Sequence, residues 1–136
     1  MKTMIRISLL LFLSFAFFTA NQAKAQDMKE KTTKWDDAKG AYHKVMASTF
    51  HPVEEGNFMP LKEKAGDLKS VAKQWASIPV PEGLDKKQLK KNLKMLVSES
   101  SKVEKLVKKG ASESDLKQAI FSLHDVFHEI VGLCDH

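Results

Sequence analysis

The chain has 136 residues, 43% of them hydrophobic and 29% charged, and a formal net charge of +5 at pH 7. This length suits one compact domain. Its one cysteine, Cys134, cannot form an internal disulfide, which excludes a disulfide-held scaffold. Burial, metal ligation and pairing in a homodimer remain as roles for this thiol.

The first 25 residues have the organisation of a secretory signal peptide. Lys2 and Arg6 form the basic region, Ile7–Phe18 the apolar region, and Ala23-Lys24-Ala25 the small-x-small cleavage signature. The apolar region has about a dozen residues, fewer than the roughly 20 that a transmembrane helix needs. We therefore expect a cleaved leader (1–25) and a mature domain (26–136) that is periplasmic or secreted.

The basic charge of the whole chain depends partly on this leader, which contains three basic residues and no acid. The mature domain has 111 residues and a net charge of about +2. A mildly basic, exported domain is not expected to bind nucleic acid.

The first half of the mature domain contains two segments with apolar residues at helical spacing. One runs from about Thr33 to Phe50 and ends near Gly56-Asn57. The next starts near Pro60, a favourable first-turn residue, and is broken by Ile78–Gly83. The apolar positions of the two segments are Trp35, Ala38, Tyr42, Val45, Met46 and Phe50, then Leu61, Ala65, Leu68, Ala72 and Trp75.

The second half contains two more such segments. The third helix is predicted from about Asp85 to Lys109, with Gly110 as its stop, and the fourth begins at Ser112 or Ser114 and continues to the C-terminus. Four amphipathic helices with short loops and no strand-like alternation predict an all-α, antiparallel up-down-up-down four-helix bundle. Met59 and Met95, which lie outside these stripes, are expected to fill the core.

A lysine-rich face marks the third helix, formed by Lys86, Lys87, Lys90, Lys91 and Lys94. Such a face is typical of polyanion or membrane-surface binding, but also of an ordinary solvated helix face. Because acids elsewhere nearly cancel the charge, we favour the solvated face.

The most informative local motif is His124-Asp-Val-Phe-His128. Histidines four residues apart stand one helical turn above each other, so both imidazoles can reach one metal ion. Asp125 and Glu129 lie toward the far side of the helix and are weaker ligand candidates. The pair is predicted at the edge of the apolar stripe, where a neighbouring helix can supply further ligands.

A second cluster, Phe50-His51-Pro52-Val53-Glu54-Glu55, offers those ligands. His51 and Glu55 share an i,i+4 relation, and Glu54 competes for the carboxylate role. His51, Glu55, His124 and His128 would make a three-histidine, one-carboxylate set suited to zinc and acceptable to copper(II).

Two alternatives to this set stay open. Counting along antiparallel helices puts His43 nearer the level of His124 than His51 is, and Met46 with histidines would favour copper. The C-terminal Cys134-Asp135-His136 is a weaker chelating option because chain ends fray.

Catalysis has little support in the sequence. Ser48 and Ser122 have no evident base and orienting group, and there is no glycine-rich phosphate loop. The acid pairs Asp36-Asp37 and Glu54-Glu55 are sequence neighbours, which point apart on a helix. We do not expect an enzyme.

The run Tyr42-His43-Lys44-Val45-Met46, then Phe50-His51-Pro52, and finally Leu123–His128 resembles a group of exported helical-bundle proteins. These are similar in architecture to cytochrome c-prime and cytochrome b562 and are suspected of binding heavy metals. The resemblance spans most of the mature chain and implies that His51, His124 and His128 are the shared histidines.

The same resemblance raises the question of haem. Covalent attachment requires Cys-x-x-Cys-His, whereas the chain ends Gly132-Leu133-Cys134-Asp135-His136, so covalent haem is excluded. A non-covalent b-type haem held by Met46 and a histidine of the fourth helix remains an alternative, as does a structural or interaction bundle without metal.

Overall fold

The computed structural model describes the backbone of residues 4–134 and the side chains of residues 20–134. It contains four α-helices: α1 (Met4–Glu54), α2 (Met59–Ser77), α3 (Lys86–Lys108) and α4 (Glu113–Cys134). Lys2, Asp135 and His136, and the side chains of the apolar leader segment Ile7–Phe18, lie outside the described residues. Within the described part, no helix has both the length and the apolar character needed to cross a membrane.

The helices pack in chain order, α1 on α2, α2 on α3 and α3 on α4, and α4 closes the bundle against α1. This confirms the predicted all-α, up-down four-helix architecture. The α1–α4 contact is the smallest of the four, and α3 lies diagonally opposite α1 without a comparable contact. The α1–α4 seam is therefore the most open side of the bundle.

The predicted start of the first helix near Thr33 is wrong, because α1 already includes the polar stretch before it. Every side chain from Ala20 to Lys34 is exposed, so this stretch has no apolar stripe to reveal a helix. Ion pairs at i,i+4 support it instead: Lys31 Nζ lies 2.6 Å from Asp27 and Lys34 Nζ 2.6 Å from Glu30.

The helix boundaries follow from local chemistry. Gly56, at φ +84°, ends α1: its N–H donates to the Val53 carbonyl (3.1 Å), and the next N–H donates to the Pro52 carbonyl (2.8 Å). This pattern is a Schellman motif, and Gly110 (φ +65°) ends α3 in the same way. At the opposite ends, Asp85 caps α3 and Ser112 caps α4 through side-chain oxygens that accept backbone N–H groups.

The core consists of apolar side chains that the helical periodicity predicts. Every buried side chain of the described part lies between Trp35 and Ile130, so a chain that begins at Gln26 contains all of these buried side chains. A polar contact crosses it, between the Tyr42 hydroxyl and the Ser100 hydroxyl at 3.2 Å. Met59 and Met95 are 58% and 37% exposed, so their predicted place in the core is wrong.

Candidate metal centre

His124 and His128 form a close pair on α4. Their Nε2 atoms are 3.1 Å apart and their ring centroids 4.4 Å apart. His124 is half-buried and His128 is exposed, so the pair faces solvent along the α1–α4 seam. The i,i+4 spacing therefore brings the two imidazoles together as predicted.

The separation of the two Nε2 atoms suits a shared metal ion. Two imidazole nitrogens that each bind zinc at 2.0–2.1 Å with tetrahedral geometry are about 3.3 Å apart. The observed 3.1 Å is within a few tenths of an ångström of that value. The pair can offer two nitrogen donors without a change in the helix backbone.

Phe50 of α1 fixes the ring plane of His124 from across the seam. The two rings are stacked, with 3.9 Å between centroids and 2° between planes. Phe50 is itself buried, with the ring of Phe121 at 4.8 Å from its own. The stack limits rotation of the His124 imidazole about its side-chain bonds, which leaves its Nε2 directed at His128.

A second polar pair lies on the last turn of α1, beside Phe50. His51 Nδ1 is 2.9 Å from Glu54 Oε2, and the His51 ring packs edge-on against Phe50 with 5.6 Å between centroids. The helix continues through Pro52 to Glu54, which places His51 and Glu54 on one face, whereas Glu55 is the first residue beyond the helix. Among the described residues, Glu54 is thus the acid that bonds to His51.

The two pairs act on each other electrostatically. Partial burial is the main cause that lowers the pKa of His124, followed by the neighbouring charge of His128. Asp125 and Glu54 act in the opposite direction, and His51 adds a smaller lowering effect. The α1 pair therefore lies within electrostatic range of the α4 pair, and the balance favours a neutral His124 that can donate its lone pair to a metal.

His43 lines the same groove as His128, whereas Met46 lies in the core. The His43 ring stacks on Phe127, with 5.6 Å between centroids and 10° between planes. It shares with His128 an open groove of about 280 Å³, whose apolar floor includes Phe127. Met46 is 1% exposed and belongs to the core.

No group of three or more histidine, cysteine, aspartate or glutamate side chains is assembled around a common point in the described part of the chain. The candidates instead occur as two pairs, His124 with His128 and His51 with Glu54. Glu55, the carboxylate of the predicted set, belongs to neither pair. Cys134 is half-buried at the end of α4, and its predicted partner His136 lies outside the described residues.

The stacking role of Phe50 was not predicted, although its position next to His51 was known from the sequence. The sequence contains a signal for this contact. Phe50 directly precedes His51 near the end of a helix that lies antiparallel to α4. An aromatic residue in that position can contact the His124–His128 pair across the seam.

The resemblance to exported helical bundles is supported at the level of a four-helix, all-α architecture. Comparison with protein-family models finds no match to this chain, and comparisons with curated proteins and with solved structures find none either.

Proposed function

We propose that this protein is an exported helical bundle that binds one divalent transition metal ion, zinc or copper(II), at the α1–α4 seam. The observation that carries the proposal is the 3.1 Å separation of the His124 and His128 Nε2 atoms on an open side of the bundle. Imidazole nitrogen suits both metals. The role we infer is buffering, delivery or sensing, not catalysis.

His51 is our candidate for the third ligand. The carboxylate of Glu54 accepts a hydrogen bond from Nδ1–H of His51, which leaves Nε2 of His51 with a free lone pair. A carboxylate that holds one ring nitrogen of a histidine while the other binds metal is a common arrangement in zinc proteins. In this scheme Glu54 orients His51, and Glu55 is the alternative carboxylate.

Three imidazoles of this kind would leave one coordination position open. An open position permits exchange of the ion with solvent or with a partner protein, which suits delivery or buffering better than permanent structural binding. The exposure of His51 and His128 is in keeping with such exchange.

The haem alternative makes a different demand on the fold. Met46 is buried in the core and lines none of the described pockets, so a haem held by Met46 would require repacking of the core around it. The divalent ion requires only movement of surface side chains at the seam. We therefore favour the ion.

Native mass spectrometry of the chain from Gln26, with zinc or copper(II) added, tests the proposal. We expect a mass increase of one ion per chain, and calorimetry should give the same stoichiometry. The variant His128→Ala changes an exposed side chain, so it should remain folded while its affinity falls by more than the roughly 10–100-fold that outer-shell partners contribute.

Two matched variants complete the experiment. His43→Ala removes the alternative histidine of α1, which shares a groove with His128, and His136→Ala removes the terminal chelating option. Both should bind the ion as the parent does. An apoprotein mass that neither metal changes would overturn the proposal in favour of a bundle whose histidines are ordinary boundary residues.

A further inference from the structure

The outer side of α3 carries an extended array of like charges. At about 100° per residue, eight lysines fall within an arc of about 140°. They span about 34 Å along the helix axis, from Lys86 to Lys109, and all are exposed. We call this array the lysine face; its members are Lys86, Lys87, Lys90, Lys91, Lys94, Lys105, Lys108 and Lys109.

In the part of the chain that the structure describes, few of these lysines have an acidic side chain close enough to form an ion pair. The α3 helix contains only two acids, Glu99 and Glu104. Among the described residues, Lys108 is the one member of the lysine face within 4.0 Å of a carboxylate, that of Glu104 at 2.7 Å. The other acids of the domain lie outside α3. Most of the charge cancellation that favoured a solvated face therefore takes place away from the lysines.

The lysine face is unfavourable for the isolated helix. Lys86 and Lys90, Lys87 and Lys91, and Lys90 and Lys94 are like-charge pairs at i,i+4, a spacing that destabilises a helix. Lys86 and Lys87 also occupy the first turn, where the helix dipole disfavours positive charge; the acid beside them is the N-cap Asp85. Glutamates interspersed among these lysines would keep the surface soluble and favour the helix.

We propose that the lysine face is a docking surface for the anionic surface of a phospholipid membrane. Charge complementarity is the basis: two groups of exposed lysines, Lys86–Lys94 and Lys105–Lys109, together span about 34 Å. Such a spread fits a flat, extended field of phosphates better than it fits a single small anion. Lysine is a point charge on a flexible stem, which suits mobile lipid headgroups that offer no fixed geometry.

The composition of α3 separates a membrane from nucleic acid. The helix contains no arginine and no aromatic residue, so it lacks both the bidentate phosphate fork and the base-stacking platforms that nucleic-acid surfaces use. Because α3 is diagonal to α1, a bundle docked through the lysine face keeps the α1–α4 seam directed away from the membrane. Docking is thus independent of metal binding.

Sedimentation with vesicles tests the proposal on the metal-free chain from Gln26, since the apolar leader would itself enter lipid. Vesicles of phosphatidylcholine alone are compared with vesicles that also contain phosphatidylglycerol. We expect binding only to the second kind, and its loss in about 1 M salt, where the screening length is about 3 Å.

A pair of charge-matched variants assigns the binding to this face. Lys90→Gln/Lys91→Gln/Lys94→Gln should weaken vesicle binding roughly 100-fold. Lys29→Gln/Lys31→Gln/Lys34→Gln removes the same charge from α1, where acids are interspersed, and should weaken it only a few-fold. Circular dichroism checks that both remain helical.

Three results would overturn the proposal. The first is no binding to phosphatidylglycerol vesicles at low salt. The second is an equal loss in the two triple variants, which would assign binding to net charge alone. The third is binding to duplex DNA or heparin without binding to vesicles, which would assign the lysine face to a different polyanion.

Discussion

Phe50 and His124 lie face to face across the α1–α4 seam, with 3.9 Å between their ring centroids and 2° between their planes. The contact joins the hydrophobic core to the polar pairs above it, because Phe50 is buried while His124 is only half-buried. One aromatic side chain of α1 therefore sets the orientation of a candidate ligand on α4.

Replacement of this aromatic ring should separate metal affinity from stability. Phe50→Leu keeps an apolar side chain in the core and should cost less unfolding free energy than the about 3–5 kcal/mol of Phe→Ala. It removes the stack on His124, so we expect zinc affinity to fall by roughly 10–100-fold, as for loss of an outer-shell partner. Competition with a chromogenic chelator measures the affinity, and urea unfolding measures the stability.

The matched control is Phe58→Leu, since Phe58 is buried but has no histidine ring among its described aromatic contacts. It should lose similar stability and keep its zinc affinity. Equal loss of affinity in both variants would show that general loosening of the core, and not the stack, weakens the site.

Stability without metal should fall as the solution is acidified through the histidine range. Burial and the His128 charge lower the pKa of His124 below its usual 6.5, so at mildly acidic pH the unfolded chain binds more protons than the folded one. Stability therefore rises with pH in that window and is lost as pH falls through the folded pKa.

Urea unfolding with a chelator present, between about pH 7.5 and about pH 5, measures this dependence. His124→Gln removes the titrating ring and should flatten it, whereas His43→Gln, which changes an exposed histidine of α1, should leave the profile as it is. An identical slope in the parent and in His124→Gln would assign the dependence to other groups.

The prediction from sequence was most accurate where periodicity and turn residues coincide. Leu61 to Trp75 form a continuous apolar stripe that follows Pro60, and α2 is found there; Gly110 marks the end of α3. The start of α1 could not be predicted in the same way, because its exposed first part depends on pairwise ion pairs that leave no stripe.

The same distinction applies to the candidate site, where some contacts could be predicted from the sequence and others could not. The approach of His124 to His128 depends only on helix geometry, which the spacing determines. Whether His51 or His43 lies beside that pair depends on the axial position of α1 against α4, which the shapes of three loops decide. The choice of Glu54 as the partner of His51 depends on where α1 ends, and the Schellman motif at Gly56 decides that.

The buried contact between Tyr42 and Ser100 should show coupling in a double-mutant cycle. Ser100→Ala leaves the Tyr42 hydroxyl buried without its partner, which should cost about 1–3 kcal/mol. Tyr42→Phe/Ser100→Ala removes both polar groups and should be less destabilised than the sum of the two single variants. Additive effects in urea unfolding would mean that the hydroxyls do not stabilise each other.

Glu104 connects α2 to α3, with its carboxylate 2.7 Å from both Lys69 and Lys108. The Lys108 and Lys69 side chains lower the pKa of Glu104 from 4.5 to about 2. The contribution to stability is therefore present above about pH 4.5 and is lost as pH falls toward 2. Glu104→Gln should lower Tm at neutral pH, with the difference from the parent shrinking below about pH 4.5; a difference that is constant with pH would contradict the ion pairs.

Reversing one charge of the lysine face tests how much the clustered lysines destabilise α3. In Lys90→Glu, the repulsion of residue 90 with Lys86 and with Lys94, each four positions away, becomes attraction. The variant also places a negative charge in the N-terminal part of α3, where the helix dipole favours it. We expect the free energy of unfolding to rise by about 0.5–1 kcal/mol.

Lys44→Glu is the control, because the residues four positions away, Gly40 and Ser48, are uncharged. Its free energy of unfolding should stay within about 0.5 kcal/mol of the parent. A more stable Lys90→Glu protein that no longer sediments with anionic vesicles would show that α3 gives up stability to keep a surface for an anionic partner; a less stable one would mean that the clustered lysines do not repel enough to matter.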